Sequence, residues 1–417
     1  MTDREFENVC VIGLGYVGLP TAAVLASRGV LVLGVDIDDN TVALVNKGKV
    51  HIVEPDLDIL VNGAVATGKL RAATKAEAAD AFIIAVPTPF TDGHKPDLRY
   101  VEAAVRGLAD VIKKGDLVII ESTCPVGTTD KACVWLSEAR PDLSFPHTAG
   151  SAADVNVAHS PERVLPGKVL IELVRNDRVI GGVSPRCAER TAVLYRIAVD
   201  GKCLQTTART AELVKLSENA YRDVNIAFAN ELSLVSDDLD INVWEAIQLA
   251  NHHPRVNILS PGPGVGGHCI AVDPWFIVDS APNSTPLITA ARGVNDAKPK
   301  RIVSQILDAA AALDNPVVAC LGLAYKANID DLRESPAMDI AEALAKTGGL
   351  ILNIVEPHIK DLPDRLAGFD DVRLCDLGQA LGPANIVVLL TDHDAFGTVT
   401  LDDLGGKKVF DTRGIWR

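Results

Sequence analysis

The sequence has 417 residues, of which 48% are hydrophobic and 23% are charged. This length exceeds the roughly 250–300 residues that one hydrophobic core usually serves, so we expect two or three folded domains, and the composition excludes a wholly disordered chain. The 55 acidic residues outnumber the 40 basic ones, and the resulting net charge of -15 argues against nucleic acid or an anionic membrane surface as a partner.

The eight cysteines are scattered singly and include no CxxC pair, so the sequence predicts neither a metal site nor a disulfide framework. The N-terminus lacks an apolar signal core. No apolar run reaches the roughly 18 residues that a membrane span needs, so we expect a cytoplasmic protein.

Short apolar runs alternate with helix-periodic segments from Val9 to about Ile180, a pattern typical of a parallel sheet with crossover helices. The alternation stops at a predicted long helix and returns near the C-terminus. We therefore expect an α/β protein with two Rossmann-like domains, residues 1–205 and 313–417, joined by a central helical dimerisation domain, residues 206–312. The predicted elements are strands Val9–Ile12, Leu31–Val35, Phe82–Val86 and Leu117–Glu121, the helix Arg209–Leu239, and strands Val317–Leu321, Ile351–Val355 and Ile386–Leu390.

The first predicted strand runs directly into the loop Gly13-Leu-Gly15-Tyr16-Val17-Gly18, and the second ends at Asp36. Strand, glycine loop, helix and a strand-terminal acid in this order indicate a dinucleotide site, in which glycines let the backbone approach a pyrophosphate. Asp36 would accept hydrogen bonds from ribose hydroxyls and repel a 2′-phosphate, so NAD is favoured over NADP. Two further loops follow strands of the same sheet, and their Thr88 and Thr128 are candidate contacts to the cofactor.

Cys269 follows a loop that contains Gly262, Gly264, Gly266 and Gly267. Such a loop lets a ligand come close to the backbone, so the thiol is a candidate nucleophile once a cation or a helix N-terminus favours its thiolate. Cys10, Cys133 and Cys320 lie in apolar patterns and are expected to be buried and inert.

The long helix carries Lys215, Asn219 and Arg222 at spacings of four and three, so their side chains share one face. A polar row of this kind is either a solvated surface or part of a site, and the helix pattern alone does not choose between them.

Six motifs in a fixed order resemble the UDP-glucose/GDP-mannose dehydrogenase family over nearly the whole chain. They are Gly13-Leu-Gly-Tyr-Val-Gly18-Leu-Pro, Ser122-Thr-Cys-Pro-Val-Gly, Ser160-Pro-Glu162-Arg163-Val164, the Lys215/Asn219 helix, Gly266-Gly-His-Cys269 and Asp330-Asp-Leu-Arg333-Glu-Ser-Pro. Within the family, Pro161-Glu-Arg-Val-Leu-Pro-Gly-Lys168 and Cys269-Ile-Ala-Val-Asp-Pro-Trp-Phe-Ile277 are most similar to the branch that oxidises UDP-N-acetyl-D-mannosamine. Leu165-Pro166-Gly167 stands where the UDP-glucose branch has a glutamate.

The resemblance implies a four-electron oxidation of the sugar C6 to a uronate with two NAD, through a thiohemiacetal and a thioester on Cys269. It also implies roles in catalysis for Lys215, Asp273, Glu162 and Thr123, and a cofactor contact for Arg333. The implied contacts to the nucleotide sugar are Arg163, Val164, Asn219, Arg222, His253, Arg255, Gly266, Tyr325, Lys326 and Arg413. Uronates of this kind commonly enter bacterial surface polysaccharides.

Other reactions stay open at this point. The same chemistry could act on UDP-N-acetylglucosamine, UDP-N-acetylgalactosamine, UDP-glucose or GDP-mannose, because no physical feature of the sequence ranks these sugars. A two-electron β-hydroxyacid dehydrogenase would need neither Cys269 nor the C-terminal domain, and a silent NAD-binding regulator would be expected to lack Lys215, Glu162 or Cys269. The family resemblance further implies a homodimer in which Arg255 reaches the partner's site.

Overall fold

The computed structural model describes residues 5–91, 93–165, 167–267, 269–400 and 402–416. Pro166 and His268, which belong to two of the motifs, lie outside the described residues. The chain forms two compact units: residues 1–218 with 275–282, and residues 219–274 with 283–417. Most of the predicted central segment falls in the second unit.

The first unit contains an eight-stranded sheet and a small hairpin. The strands are β1 Asn8–Ile12, β2 Leu31–Val35, β3 Leu70–Ala73, β4 Ala81–Ile84, β5 Phe90–Thr91, β6 Lys95–Pro96, β7 Leu117–Ile120, β8 Asn156–His159, β9 Arg178–Gly182 and β10 Cys203–Thr207. The helices are α1 Gly18–Ser27, α2 Asp39–Asn46, α3 Leu57–Ala66, α4 Arg99–Arg106, α5 Thr128–Ala139, α6 Pro146–Ala149, α7 Val169–Arg175 and α8 Pro185–Tyr195.

The large sheet has the order β10-β9-β8-β7-β4-β1-β2-β3 and is parallel except for the β8–β9 pair, which is antiparallel. Its two faces bury separate clusters, because alternate residues of a strand point to opposite sides. In β1, Val9 and Val11 belong to one cluster and Cys10 to the other. Burial on both faces explains why these strands are continuous apolar runs.

The next helix, α9 Ala208–Asp238, extends from the first unit into the second, and the predicted Arg209–Leu239 helix is confirmed within one residue at each end. It is followed by α10 Val243–Ala250 and α11 Asp273–Ser280. Tyr221, Phe228 and Val235 recur along α9 at spacings of seven, and Leu239 follows four residues later, directly after the helix; all four are between 47% and 74% exposed. Single exposed apolar residues are common on protein surfaces, but a row of four along one face indicates a surface that another element or molecule covers.

The second unit has a five-stranded parallel sheet of order β13-β12-β11-β14-β15. Its elements are α12 Pro286–Ala310, β11 Val317–Leu321, α13 Pro336–Thr347, β12 Ile351–Val355, α14 Asp364–Ala367, β13 Val372–Leu374, α15 Leu377–Leu381, β14 Ile386–Leu389 and β15 Lys408–Asp411. Both units thus have parallel sheets of the Rossmann type, as predicted. Across the described residues, we find no helix with the length and apolar character of a membrane span.

Candidate active site

The loop between β1 and α1 has the form that a dinucleotide requires. Gly13 has φ +92, and a Cβ there would lie 2.6 Å from the Ala85 carbonyl oxygen, while a Cβ on Gly18 would lie 1.8 Å from the Gly13 oxygen. The fold itself therefore needs these two glycines. A Cβ on Gly15 would meet no atom within 4 Å, so close approach of a ligand is the remaining reason for a glycine there. Tyr16 beside it is 48% exposed and Val17 is half-buried.

Asp36 at the end of β2 is held in place by the backbone around it. One carboxylate oxygen accepts a hydrogen bond from the Leu14 N–H at 2.9 Å, and the other accepts one from the Asp38 N–H at 3.0 Å. The side chain stays partly exposed at the carboxyl edge of the sheet. A carboxylate in this position can accept hydrogen bonds from ribose hydroxyls.

The second unit also has a glycine after its first strand and an acid after the next strand, but here the acid is buried. Gly322 has φ +92, and Glu356 follows β12 as Asp36 follows β2. Glu356, however, is 4% exposed, and one of its carboxylate oxygens accepts hydrogen bonds from the Leu323 and Ala324 N–H groups and lies 3.0 Å from His393 Nε2. The equivalent of Asp36 is thus buried and bonded inside its own domain.

Two threonine-containing loops follow β4 and β7. The Thr88 hydroxyl donates to the Thr123 carbonyl at 2.5 Å, so the two loops are joined directly. The Thr128 hydroxyl is buried and donates to the Pro125 carbonyl at 2.7 Å. Glu212 of α9 accepts hydrogen bonds from the Gly127 and Thr129 N–H groups at 2.6 and 2.8 Å, which fixes the start of α5. The hydroxyls of Thr88 and Thr128 therefore already bond within these loops.

The loop after β8 carries Glu162, Arg163 and Val164. Glu162 is 9% exposed and accepts a hydrogen bond from the Arg163 N–H at 2.5 Å. The Arg163 guanidinium pairs with Glu218 at 2.8 Å, and Val164 packs against the core of the sheet. Glu162 is thus a nearly buried carboxylate on a loop at the carboxyl end of the sheet.

The long helix places Lys215 in the first unit and Asn219 and Arg222 in the second. Asn219 Nδ2 donates to a carboxylate oxygen of Asp273 at 2.6 Å, and Asp273 is 3% exposed. Lys215 and Asn219 are half-buried, whereas Arg222 is exposed. The row of polar residues is therefore only partly a solvated face, because Asn219 bonds a buried carboxylate.

Sequence reasoning missed a second polar set on this helix. Asp223 is fully buried and pairs with Arg292 at 2.7 Å and with Asn295 Nδ2 at 2.8 Å. Asn230 is also fully buried. Its Nδ2 donates to Asn295 Oδ1 at 2.9 Å, and its Oδ1 accepts from the Gly262 N–H at 2.9 Å. Helix α9 thereby holds the start of the glycine loop that leads to Cys269. The seven-residue spacing of Asp223 and Asn230, which places them on one face of the helix, is the signal that the sequence offers.

The glycine loop before Cys269 is packed too closely for side chains. A Cβ on Gly266 would lie 2.4 Å from the Glu334 oxygen and 2.8 Å from Tyr325 Cβ, and a Cβ on Gly267 would lie 2.9 Å from the Tyr325 ring. On Gly262 it would lie 3.0 Å from an Arg413 guanidinium nitrogen. The structure therefore places two predicted substrate contacts against this loop, with Tyr325 beside Gly266 and Gly267 and Arg413 beside Gly262.

Arg413 is enclosed by its own domain although it lies near the chain end. Its guanidinium donates to the Leu390 carbonyl at 3.2 Å and lies 3.4 Å from Asp392. Burial lowers the pKa of this arginine, and Asp392 opposes that effect. A partly desolvated cation beside a glycine loop can pair with a phosphate or carboxylate group.

Cys269 differs from the other cysteines in its exposure. It is the one exposed cysteine of the eight, all of which lie in the described part of the chain, and α11 begins four residues after it. Burial raises the pKa of Cys10 and of Cys320 to about 12, so both stay protonated. The expectation that Cys10, Cys133 and Cys320 are buried is confirmed.

The remaining predicted residues lie at the surface of the second unit. His253, Arg255, Lys326 and Arg333 are exposed, and Arg333 pairs with Asp331 at 2.8 Å. The His253 ring accepts from the Arg255 N–H at 3.3 Å, which ties the two residues together after α10.

Three family models match the chain in the order of its parts. The NAD-binding domain of the UDP-glucose/GDP-mannose dehydrogenase family matches residues 7–199, its central domain residues 209–297 and its UDP-binding domain residues 319–417. The chain belongs to the UDP-glucose/GDP-mannose dehydrogenase family. It is therefore an NAD-dependent nucleotide-sugar dehydrogenase, and the glycine loop with Asp36 lies in the family's NAD-binding domain.

Members of this family with similar sequences act on N-acetylated sugar nucleotides, according to their names. An NDP-N-acetyl-D-galactosaminuronic acid dehydrogenase of Ralstonia nicotianae is 58% identical over 99% of this chain and 97% of its own length. A UDP-N-acetyl-D-mannosamine dehydrogenase of Campylobacter jejuni is 58% identical over 96% and 98%. The solved structure of UDP-D-ManNAc dehydrogenase from Pyrococcus horikoshii is 39% identical with a TM-score of 0.88, over 98% of this chain and 96% of that one.

Proposed function

We propose that the protein oxidises UDP-N-acetyl-D-mannosamine at C6 to UDP-N-acetyl-D-mannosaminuronate. The observation that carries the proposal is the exposed thiol of Cys269. It follows a glycine loop that packs against Tyr325 and Arg413. A two-electron dehydrogenase needs no nucleophile, whereas a dehydrogenase that makes an acid gains one by holding the aldehyde covalently. The names of the relatives support an N-acetylated sugar and leave the mannosamine and galactosamine stereoisomers to separate by experiment.

The loop Gly13–Gly18 and Asp36 would hold NAD, which when bound accepts a hydride from C6 in each of two oxidations. After the first, the Cys269 thiol adds to the aldehyde carbon as a thiohemiacetal, with its proton passing to the aldehyde oxygen. After the second, the same carbon is a thioester. Water then adds to the thioester carbon, the C–S bond breaks, and the uronate leaves as the thiol is restored. Each substrate thus consumes two NAD and one water and yields one uronate, two NADH and three protons.

Each remaining group has a role that fits its position. Lys215 would take the proton of the C6 hydroxyl, and Asp273, oriented by Asn219, would assist it. Glu162 with Thr123 would take the proton of the hydrolytic water. Arg163, Val164, Asn219, Arg222, His253, Gly266, Tyr325, Lys326 and Arg413 would hold the nucleotide sugar, and Thr88, Thr128 and Arg333 would complete the cofactor site.

We also propose a homodimer. The apolar row of Tyr221, Phe228, Val235 and Leu239 lies on one face of α9, and Leu249 of α10 is 63% exposed as well. A two-fold axis through this face would cover the row with its own copy, because such an interface is self-complementary. Arg255, exposed just after α10, would then extend toward the partner's site.

A panel of sugar nucleotides tests the function directly. UDP-N-acetyl-D-mannosamine, UDP-N-acetylgalactosamine, UDP-N-acetylglucosamine, UDP-glucose and GDP-mannose are each incubated with NAD, and NADH is counted per substrate consumed. We expect two NADH per UDP-N-acetyl-D-mannosamine and the highest kcat/KM for it. One NADH per substrate would exclude the four-electron reaction, and a preference for another sugar would reassign the substrate.

Cys269→Ser gives the matching test of the mechanism. The substitution removes the thiol with little change in volume, so uronate formation is expected to fall at least 1000-fold while the fold and NAD binding persist. Cys375→Ser is the control, because Cys375 is only partly exposed and belongs to no part of the proposed site. Normal turnover of the Cys269 variant would rule out the covalent intermediate.

A further inference from the structure

A buried row of charges leads from the interior of the first unit to Glu162. Arg178 of β9 is 6% exposed and lies between two carboxylates. Its Nη2 is 3.2 Å from a Glu162 carboxylate oxygen and in contact with a Glu121 carboxylate oxygen, and its Nε donates to the Ser160 hydroxyl at 3.0 Å. The guanidinium therefore bridges β7 and the loop after β8.

Glu121 is anchored more firmly than Glu162. The Tyr195 hydroxyl donates to one Glu121 oxygen at 3.1 Å, and the Thr21 hydroxyl donates to the other at 3.2 Å. The Arg178 guanidinium also stacks over the Tyr195 ring at 4.0 Å. Glu121 is 1% exposed, whereas Glu162 keeps 9% of its surface exposed. The interior end of the row is thus fixed, and its outer end is the carboxylate on the site loop.

Fold stability does not by itself explain this arrangement. Burying an arginine and two carboxylates requires removing all three charges from water, and one cation cannot neutralise two anions. Apolar residues of similar volume would fill the same space at lower cost in free energy. Burial, reinforced by the nearby Glu162 charge, raises the pKa of Glu121 to about 7 although Arg178 opposes the shift. Such perturbed buried groups cluster at functional sites.

We propose that Arg178 and Glu121 are positioning residues for thioester hydrolysis. Arg178 orients the Glu162 carboxylate toward the hydrolytic water, and Glu121 holds Arg178 in place. The inference rests on the proposed function, because it needs Glu162 to accept the proton of that water. Its specific consequence is that the two residues act on hydrolysis and leave both hydride transfers unaffected.

Arg178→Lys separates this role from a structural one. Lysine keeps the buried positive charge, but its ammonium group lacks the planar fork that bonds Glu121 and Ser160 and at the same time forms the ion pair with Glu162. We expect a burst of two NADH per active site at the wild-type rate, followed by turnover at least 10-fold slower. Intact-protein mass spectrometry during turnover should then find the sugar nucleotide attached to Cys269.

Two companion variants make each outcome decisive. Glu162→Gln removes the proton acceptor itself and should give the same burst and the same adduct. Arg190→Lys is the matched control, because Arg190 pairs with Glu5 away from this row and its side chain is 14% exposed. We expect wild-type turnover for that control and no adduct.

The results distinguish failure of this inference from failure of the proposed function. An adduct in Glu162→Gln together with wild-type kinetics in Arg178→Lys would overturn the positioning role alone. A slower burst in Arg178→Lys, with no adduct, would also overturn it, since the damage would then reach the oxidation steps. If Arg178→Lys fails to fold, Tyr195→Phe, which removes one hydrogen bond to Glu121, should show the adduct at a smaller loss of turnover. The absence of any adduct in Glu162→Gln would contradict the proposed hydrolytic mechanism.

Discussion

Asn219 donates a hydrogen bond of 2.6 Å to the carboxylate of Asp273, a residue that is 3% exposed. The bond connects the long helix α9 to the start of α11, four residues after Cys269. A carboxylate in this position is desolvated, so its orientation depends on its hydrogen-bond donors. The proposed helper of the C6 proton transfer is therefore oriented partly by a neutral amide.

Asn219→Ala is expected to lower both stability and activity. Removing a donor from a buried carboxylate costs about 1–3 kcal/mol, and we expect the urea midpoint to fall accordingly and kcat to fall at least 10-fold. Asn225→Ala is the control, because Asn225 bonds only the Tyr221 carbonyl of its own helix among the described contacts, and alanine favours the helix. Equal effects of the two substitutions would contradict a specific role for the bond to Asp273.

The glycine loop should separate folding from cofactor binding. Gly15→Ala adds a methyl group that meets nothing within 4 Å, so the free energy of unfolding should change by less than about 0.5 kcal/mol. The Kd for NAD should nevertheless rise about 10-fold or more, because the methyl group occupies the space of the pyrophosphate. Gly18→Ala places a Cβ 1.8 Å from the Gly13 oxygen and should lower the melting temperature. Calorimetry of binding and of unfolding measures both, and unchanged NAD affinity in Gly15→Ala would place the pyrophosphate elsewhere.

The raised pKa of Glu121 predicts that the protein becomes less stable as the pH rises. Its pKa in the folded protein, about 7, lies above the ordinary 4.5, so the folded state binds the proton more tightly than the unfolded chain does. The resulting stabilisation is complete below pH 4.5 and is lost as the pH rises through about 7. The groups that face Glu121 are Arg178, Glu162, Tyr195 and Thr21.

The measurement is urea unfolding of the wild type and of Glu121→Gln from pH 4.5 to 8. We expect the free energy of unfolding of the wild type to fall relative to the variant by about 3 kcal/mol over this range. Parallel curves for the two proteins would show that Glu121 keeps one protonation state throughout.

Subunit mixing tests the proposed dimer and the position of Arg255 together. Arg255→Ala and Cys269→Ala should each be nearly inactive alone, while a hybrid would have one site with Cys269 and an intact Arg255 from the partner. Random reassortment at equal amounts makes half of the dimers hybrids, so roughly a quarter of the sites should recover. If mass spectrometry detects hybrids and no activity returns, Arg255 does not act across the interface.

Sequence reasoning was most successful where local pattern and buried structure coincide. Strands such as Leu31–Val35, Val317–Leu321 and Ile351–Val355 were predicted with their exact bounds, because strands buried on both faces are continuous apolar runs. The antiparallel β8–β9 pair was not predicted, since strand direction depends on how the chain returns and leaves no trace in residue type.

The polar interior was harder to predict. Arg178 at the start of β9 and Glu121 directly after β7 are 57 residues apart, so neither has a local signal of its partner. Asp223 and Asn230 on α9 are residue types that usually lie on the solvated face of a helix. They are buried here because α12 packs against them and Asn295 bonds both. Arg413 was predicted as a substrate contact by resemblance alone. The structure places it beside Gly262, and its contact with substrate stays a prediction.

The inward turn of Glu356 has a kinetic consequence. Because the second unit uses this acid for its own amides and for His393, the described residues offer one dinucleotide loop per chain, whereas the proposed reaction consumes two NAD. Under the proposed mechanism, NADH must therefore dissociate and fresh NAD must bind while the sugar stays tethered to Cys269. The tethered aldehyde must outlive this exchange, so the dissociation rate of NADH sets how long the thiohemiacetal has to persist.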